Sequence, residues 1–348
     1  MKALFQTYPW LKNGLSMTLY TALRASQTWE KTLAEVEPSC QETIFFGAGE
    51  VPIYGSIALP QHPQGTIIGT YGITGDIDNQ WFLKILRRKA FSRNYAVVLF
   101  DWRAHGKTAQ LSPTLTSDGL YEGEDFVRIA AGAKAMGCPA PFWFTGYSLG
   151  GQLALWAAKA AQTIALWGED LELKESEIGG TAVICPNLDS NRSLSYLVQQ
   201  PLGKYIEKAI AKELKKLAWK LHQYHPQDID PAAIERASSI MEFDRELVIE
   251  RLGFSTVEEY YDASNALKLL PALKIPTLII YAADDPMFDP AIVPDLQAAC
   301  AENPTIDLIL TARGGHVGYV SDRAGQRLVG DRDRWWAWNR VLEWCEQN

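Results

Sequence analysis

The sequence contains few cysteines and no cysteine motif. Its five cysteines are odd in number and widely spaced, and none stands in a C-x-x-C pair. Scattered single thiols do not form a disulfide framework, and they do not supply the clustered ligands of a zinc site. We therefore expect free thiols in a reducing compartment, which predicts a cytoplasmic protein.

A long hydrophobic run is also missing. No stretch reaches the roughly 18 consecutive apolar residues of a membrane-spanning helix. The first residues contain neither a continuous apolar core nor a small-residue cleavage site, so we expect no secretory signal. Segment 9–25 is apolar and lightly basic. We expect it to pack on the protein's own surface, with peripheral membrane contact as the alternative.

Positive charge is not in excess. The net charge is −8, with acidic and basic residues mixed along the chain, which disfavours a nucleic-acid partner. The sequence contains no G-x-x-x-x-G-K-[ST] loop, no G-x-G-x-x-G after a predicted strand and no H-E-x-x-H motif. We therefore predict that the protein requires no metal and no organic cofactor.

What the sequence does contain is a repeated alternation of apolar runs and helix-forming segments. Residues 43–59 alternate and turn like an antiparallel hairpin, and short apolar runs then alternate with helical patterns. The predicted strands are 66–71, 95–100, 142–145, 181–185, 277–282 and 306–310, and the predicted helices are 81–91, 122–136, 149–162, 291–302 and 322–346. Strands that are apolar throughout are typical of a mostly parallel sheet with helices on both faces. The sequence therefore predicts an α/β fold.

The alternation stops between residues 185 and 276, a stretch of roughly ninety residues that is too long for an ordinary connection. This stretch is rich in helix formers, as in KYIEKAIAKELKKLAWKLHQY. We interpret it as a helical cap inserted after a strand of the sheet. The predicted organisation is an N-terminal helical segment packed on the core (1–42), an α/β core (43–185 and 263–348) and a helical cap (186–262).

The most informative motif lies at 142–151, FWFTGYSLGG, where an apolar run leads into the residues GYSLG and a helix-forming segment follows at once. This is G-x-S-x-G in a strand–turn–helix context. The turn is so tight that small residues must flank the serine, and its hydroxyl is left exposed at the head of a helix. The motif therefore predicts Ser148 as a nucleophile.

A serine hydroxyl needs a base to take its proton and an acid to orient that base. The chain has only five histidines. His105 precedes the nucleophile, whereas a hydrolase of this kind places its triad in the order serine, acid, histidine. Outside the predicted cap, only His316 follows the nucleophile. Gly314 and Gly315 precede it and supply a flexible turn, so His316 is the predicted base.

The acid is expected on the loop after the preceding strand. The segment PTLIIYAADDPMFDP offers Asp284, Asp285 and Asp289 at this place. Counted from the end of the strand, Asp285 best matches a carboxylate that meets the imidazole, and Asp284 is the alternative. Whichever of the two is not the triad acid is expected to cap the next helix or to hydrogen-bond the loop.

The reaction also needs backbone N–H donors for a developing oxyanion. One donor is expected from Leu149, directly after the nucleophile and at the helix N-terminus. The other is expected from the loop after the first parallel strand, with Ile73 as the first choice and Thr74 as the second. Tyr71 and Thr74 of this loop, together with Tyr147 beside the nucleophile, are the predicted substrate contacts.

Several segments resemble, in order, one branch of a known superfamily. They are WLKNG…TLYTALR, GITGD, FDWRAHGKT, GYSLGG, EFDRELVIERLGFSTVEEYYDAS, IPTLIIYAADDP and GGHVGYV. In these segments the chain resembles the YheT-like branch of the α/β-hydrolase superfamily, which is related to the eukaryotic abhydrolase-domain lipases. The EFD…GF…EYY…AS segment is the most specific of them. In two places the chain departs from that branch, which usually has histidine where Tyr71 stands and glycine where Ala104 stands.

The resemblance implies an α/β-hydrolase fold, a triad of Ser148, Asp285 and His316, and activity on carboxylic esters, with acylglycerols and other lipids among the candidates. We therefore predict a lipase-like serine esterase that forms an acyl-enzyme and acts on a small-molecule ester or lipid. Two alternatives stay open at this point. One keeps the triad and acts on a thioester or an amide, or transfers the acyl group to an alcohol. The other is a non-catalytic binding protein that keeps the fold.

Overall fold

A computed structural model describes residues 4–348. Its centre is an eight-stranded sheet with the strand order β1-β2-β4-β3-β5-β6-β7-β8. The strands are β1 (Gln41–Phe46), β2 (Pro52–Ala58), β3 (Thr66–Thr70), β4 (Ala96–Phe100), β5 (Phe142–Tyr147), β6 (Ile178–Ile184), β7 (Thr277–Ala282) and β8 (Ile306–Thr311). Strand β2 pairs antiparallel with β1 and β4, and the strands from β4 to β8 along the sheet are parallel. The predicted N-terminal hairpin and mostly parallel sheet are confirmed.

The helices alternate with the parallel strands. The longer ones are α1 (Gly14–Tyr20), α2 (Trp81–Ser92), α3 (Glu122–Ala135), α4 (Leu149–Ala161), α5 (Ser190–Gln199), α6 (Pro201–Tyr224), α7 (Pro231–Arg236), α8 (Val257–Ala263), α9 (Ile292–Glu302), α10 (Arg323–Val329) and α11 (Trp336–Gln347). Single helical turns lie at Pro9–Leu11, Thr108–Leu111, Ile164–Trp167, Ile240–Phe243 and Ile249–Leu252, among other short segments.

The sheet is covered on both faces. Every residue of β3, β4, β5 and β7 is buried. Because successive side chains of a strand point to opposite faces, burial of all of them requires packing on both sides. Helix α3 packs on α4, and α2 packs on α11. The predicted α/β class is therefore confirmed.

The C-terminal helical region differs from the sequence prediction. Residues 322–346 were expected to form one helix, but they form α10 and α11 with a break between them. Gly330 has a φ of 85° and ends α10 in the left-handed conformation that favours glycine. The single-helix prediction was wrong because the apolar pattern continues across this glycine.

Between β6 and β7 the chain forms the helices α5 to α8. Their inner residues build a second hydrophobic cluster, separate from the main core, which also includes Ala104, Ala109 and Leu115 from the sheet side. This cluster lies on the helical insertion that the sequence suggests. The division of the chain into core and cap at particular residues stays a prediction.

The N-terminal segment lies on the main body of the protein. Leu11 and Met17 are buried in the main core, at 1% and 0% exposure. The side chains of Thr7 and Trp336 donate hydrogen bonds to the carbonyls of Val320 and Leu4, at 2.7 and 3.0 Å. Within residues 4–348, no helix is both long and apolar enough to cross a membrane.

Candidate active site

Ser148, His316 and Asp285 come together at one edge of the sheet. Each follows the end of a parallel strand, namely β5, β8 and β7, and the carboxyl ends of parallel strands share one edge. His316 Nε2 lies 2.9 Å from Ser148 Oγ, and His316 Nδ1 lies 2.8 Å from Asp285 Oδ2. Both distances are those of hydrogen bonds. The three side chains therefore form a continuous hydrogen-bonded chain.

The turn that carries Ser148 has the tight geometry that its sequence predicts. Ser148 has a φ of 55° and a ψ of −128°, a backbone conformation that is rare for a residue with a side chain. A Cβ on Gly146 would lie 2.2 Å from Gly150 O, and a Cβ on Gly150 would lie 2.3 Å from Tyr71 O. The two glycines of the motif are therefore required by close backbone contacts, because any larger residue would push the turn apart.

The neighbouring acids take different positions. Asp285 is 6% exposed, and its second oxygen accepts a hydrogen bond from Met287 N at 2.8 Å. Asp284 Oδ1 instead accepts from the backbone N–H of Gly315 at 2.9 Å, and burial raises the pKa of the Asp284 carboxyl above its usual value. Asp289 accepts from Ala291 N at 2.9 Å. Of the three candidates, Asp285 is the one that contacts the imidazole of His316.

The other four histidines have other partners or lie on the surface. His222 Nδ1 lies 2.7 Å from Ile229 O, His225 Nε2 lies 3.0 Å from Ala109 O, and His62 is exposed. His105 stacks on Trp102, and its Nδ1 lies 2.9 Å from Arg103 O. Burial lowers the pKa of His105 to about 4, so its ring is neutral at pH 7. Among the histidines, only His316 reaches Ser148.

The predicted oxyanion donors lie beside the nucleophile. Leu149 is the first residue of α4, so its N–H has no acceptor within the helix. A Cβ on Gly72 would lie 3.3 Å from Ser148 Oγ, so the loop after β3 passes directly over the serine. Leu149 and Ile73 both line the cavity that contains Ser148. Thr74, the second choice, has a φ of 64° and is not among the described residues that line it.

The predicted substrate contacts are placed differently. Tyr71 is fully buried, and its hydroxyl donates to Asp101 Oδ1 at 2.7 Å. The hydroxyl of Tyr147 donates to Gln80. Neither tyrosine, nor Thr74, is among the described residues that line the cavity at Ser148. The structure therefore brings none of the three to that wall, and their contact with a substrate stays a prediction.

A cavity opens beside Ser148, and its empty space, with the open solvent at its mouth included, is about 860 Å³. Its wall is mostly apolar. One part of the wall comes from the loops at the edge of the sheet, and the other part comes from the helices that follow β6. The insertion contributes Leu194, Leu197, Ile210, Leu214, Leu217, Ile240 and Phe243. These residues were missed at the sequence level. Their amphipathic spacing indicates inward-facing positions, but it does not reveal that those positions surround a cavity.

Two carboxyl groups also line this cavity, Asp118 before α3 and Asp244 from the EFD segment. Burial raises the pKa of Asp244 to about 7. Burial and the nearby charge of Asp244 raise the pKa of Asp118 well above its usual value. Tyr261 donates to Asp244 Oδ2 at 2.5 Å. The cavity therefore contains a pair of buried acids that readily hold protons, and sequence analysis singled out only the segment that carries Asp244.

Comparison with known proteins relates the chain to one family of hydrolases. A family model described as "Alpha/beta hydrolase family" matches residues 78–331. The chain is 52% identical to "Putative esterase slr0264" of Synechocystis sp. over 347 residues, which cover 98% of this chain and 94% of that protein. It is 26% identical to "Phospholipase ABHD3" of Mus musculus over 256 residues, or 73% of this chain and 58% of that protein.

Two further comparisons agree. "Putative esterase YheT" of Escherichia coli is 28% identical over 208 residues, which cover 59% of this chain and 55% of that protein. The chain thus spans less than two thirds of both the mouse phospholipase and the Escherichia coli protein. Among solved structures, an esterase of Pyrococcus furiosus matches with a TM-score of 0.55 at 16% identity, covering 91% of this chain and 92% of that one, which supports the fold alone. The resemblance to the YheT-like branch is confirmed, and the chain belongs to the α/β-hydrolase family.

Proposed function

We propose that the protein is a serine hydrolase that cleaves carboxylic esters through an acyl-enzyme on Ser148. The observation that carries this proposal is the hydrogen-bonded chain from Ser148 Oγ through His316 to Asp285, with distances of 2.9 and 2.8 Å. This order of hydroxyl, imidazole and carboxylate is the one that activates a serine nucleophile. The esterase and phospholipase names among the relatives point to the same chemistry.

In the proposed mechanism, Ser148 Oγ attacks the ester carbonyl carbon while His316 Nε2 takes the hydroxyl proton. Asp285 accepts a hydrogen bond from Nδ1 and stabilises the imidazolium that forms. The tetrahedral oxyanion is held by the backbone N–H groups of Leu149 and Ile73. When the intermediate collapses, His316 gives its proton to the leaving alcohol. A water molecule activated by His316 then releases the acid and restores the serine.

The apolar wall of the cavity beside Ser148 supports the proposal that the acyl chain of the substrate enters this cavity. Leu194, Leu214, Leu217 and Phe243 offer apolar surface, and burial of each methylene contributes about 0.8 kcal/mol. The substrate class proposed is therefore an ester of an aliphatic acid, with acylglycerols and other lipids among the candidates. The five free cysteines agree with a reducing compartment, so a cytoplasmic location forms part of the proposal.

The test compares the wild type with Ser148→Ala on p-nitrophenyl esters of increasing chain length and on one acyl thioester. We expect the substitution to lower kcat by about 10⁴-fold or more, because the nucleophile is lost while binding surface remains. A fluorophosphonate probe should label the wild type and leave Ser148→Ala unlabelled. Normal ester hydrolysis by Ser148→Ala would remove the basis of the proposal.

The same assay separates the alternatives. A thioester cleaved much faster than the matched ester would make the protein a thioesterase. New ester formed in the presence of an added alcohol would identify acyl transfer. No labelling and no turnover in the wild type would leave a non-catalytic binding protein that keeps the fold.

A further inference from the structure

The N-terminal helix α1 lies against both loops that carry the base and the acid. The backbone N–H of His316 donates a hydrogen bond to Thr18 Oγ1 at 2.8 Å, across 298 residues of sequence. A Cβ on Gly14 would lie 1.8 Å from the carbonyl oxygen of Asp284, so the start of α1 touches the acid loop. Met17, between them, is fully buried and faces Gly318. One short helix thus contacts the loops of Asp285 and His316 together.

The histidine loop has a backbone that needs outside support. Gly315 has a φ of 59°, and the non-glycine residues Val317 and Tyr319 have φ values of 65° and 42°. Such conformations cost free energy and persist only when surrounding contacts hold them. Two of those contacts are hydrogen bonds that consecutive backbone amides donate. One runs from Gly315 N–H to Asp284 Oδ1, and the other runs from His316 N–H to Thr18 Oγ1. The second is made by the residue that carries the imidazole.

The hydroxyl of Thr18 is oriented for this contact. It donates its own proton to the carbonyl of Gly14, one helical turn earlier, at 2.8 Å. A hydroxyl has a single proton, so its remaining lone pairs can only accept, and one accepts from His316 N–H. The helix start is fixed in turn by Asn13, whose side chain caps the N–H groups of Leu15 and Ser16. The acceptor is therefore held rigidly in front of the histidine backbone.

We propose that Thr18 is a positioning residue that holds the backbone of His316, so that its imidazole reaches Ser148 and Asp285 together. This inference rests on the proposed serine-hydrolase function. It gives the N-terminal segment a part in catalysis beyond covering the core. A displacement of about 1 Å in a catalytic group can cost about 100-fold in rate, so one backbone hydrogen bond at this place has a measurable effect.

The test is Thr18→Val, which keeps the shape of the side chain and removes the acceptor. We expect kcat for a p-nitrophenyl ester to fall by about tenfold or more while KM stays within about twofold, because the substrate cavity is unchanged. Thr18→Ser restores an acceptor and should recover most of the lost kcat. Thr18→Ala also removes the acceptor, and it takes the place of Thr18→Val in the test if valine prevents folding.

Thr21 offers a matched control on the same helical face. Its hydroxyl makes the same type of bond one turn later, to Met17 O at 2.8 Å, and it is 8% exposed. Thr21→Val removes a more deeply buried hydroxyl that does not bond to His316, so it should keep kcat near the wild-type value. Thermal unfolding of each variant shows whether a loss of rate merely follows a loss of folded protein.

The outcomes separate this inference from the function on which it rests. If Thr18→Val and Thr21→Val have the same kcat at matched stability, or if Thr18→Ser is as slow as Thr18→Val, the positioning role is wrong. If the positioning role is wrong but Ser148→Ala is inactive in the same assay, the proposed function still stands. If Ser148→Ala keeps full activity, the proposed function fails, and the positioning role fails with it.

Discussion

Asp284 Oδ1 accepts a hydrogen bond from Gly315 N at 2.9 Å, whereas the next residue, Asp285, contacts the imidazole of His316 at 2.8 Å. Two adjacent carboxylates therefore hold two adjacent residues of the histidine loop, one through the backbone and the other through the side chain. Only the contact of Asp285 can stabilise a positive charge on the imidazole directly. The two acids should consequently respond very differently to the same substitution.

Asp285→Asn should lower kcat by about 10³- to 10⁴-fold, because an amide favours the wrong tautomer of the imidazole and carries no charge. Asp284→Asn keeps an oxygen that can still accept from Gly315 N, so we expect its kcat to stay within about tenfold of the wild type. The measurement is steady-state hydrolysis of a p-nitrophenyl ester, with thermal unfolding of both variants as the control. A larger loss in Asp284→Asn than in Asp285→Asn would reverse the assignment.

The sequence was sufficient to locate the sheet and the residues at its edge. Apolar runs bounded by turn residues indicated the parallel strands, and the G-x-S-x-G motif fixed the place of Ser148 because the turn tolerates little beside glycine. The order of serine, acid and histidine left His316 as the base. Each of these inferences depends on a local rule, namely burial on both faces of a strand, turn sterics or chain order. The parallel strands are confirmed, whereas the catalytic roles of Ser148 and His316 stay predictions.

Contacts between distant segments could not be predicted in the same way. Whether Asp284 or Asp285 faces His316 depends on a loop path of a few ångströms, and both residues have the same chemistry. Thr18 looks like any threonine in a short helix, because its partner is the backbone N–H of a residue 298 positions away. Tyr71 was expected at the substrate, yet its partner, Asp101, lies at the end of another strand. Such contacts are set by tertiary packing, which leaves little trace in local sequence.

The buried acid Asp244 predicts a pH dependence of stability. Asp118 is the charged neighbour of Asp244, and the charge of Glu122 acts on Asp118 in turn. Tyr260 and Tyr261 pack beside Asp118 and Asp244. Burial raises the pKa of Asp244 to about 7 in the folded state, whereas the unfolded chain has an ordinary value near 3.9. Between about pH 4 and pH 7, the folded state therefore holds a proton that the unfolded state has lost.

Because the folded state binds the extra proton, the free energy of unfolding should fall as the pH rises through this window, by up to about 1.4 kcal/mol per pH unit. Asp244→Asn removes one of the two titrating groups of the buried pair, leaves Asp118 in place and keeps an oxygen that can accept from Tyr261. We expect a flatter profile for this variant in urea unfolding at several pH values. Asp262→Asn, at a surface acid paired with Lys268, is the control and should keep the wild-type slope. An unchanged slope in Asp244→Asn would show that Asp244 is not the group responsible.

The apolar wall of the cavity predicts selectivity for acyl-chain length. Leu217 lines the cavity from α6, while Lys216, the preceding residue, is exposed on the outer side of the same helix. Leu217→Trp would fill part of this cavity from α6, a helix that carries none of Ser148, Asp285 and His316. Each methylene that no longer fits loses about 0.8 kcal/mol of burial, which corresponds to about a fourfold loss in kcat/KM.

We therefore expect Leu217→Trp to shift the preferred p-nitrophenyl ester to a shorter chain, with kcat/KM for the acetate ester within about twofold of the wild type. Lys216→Trp adds the same side chain outside the cavity and should keep the wild-type chain-length profile. If both tryptophan variants gave the same profile, the chain would have to bind elsewhere than against α6. A loss of all activity in Leu217→Trp, with normal thermal unfolding, would instead place the bulky side chain in the path of every ester to Ser148.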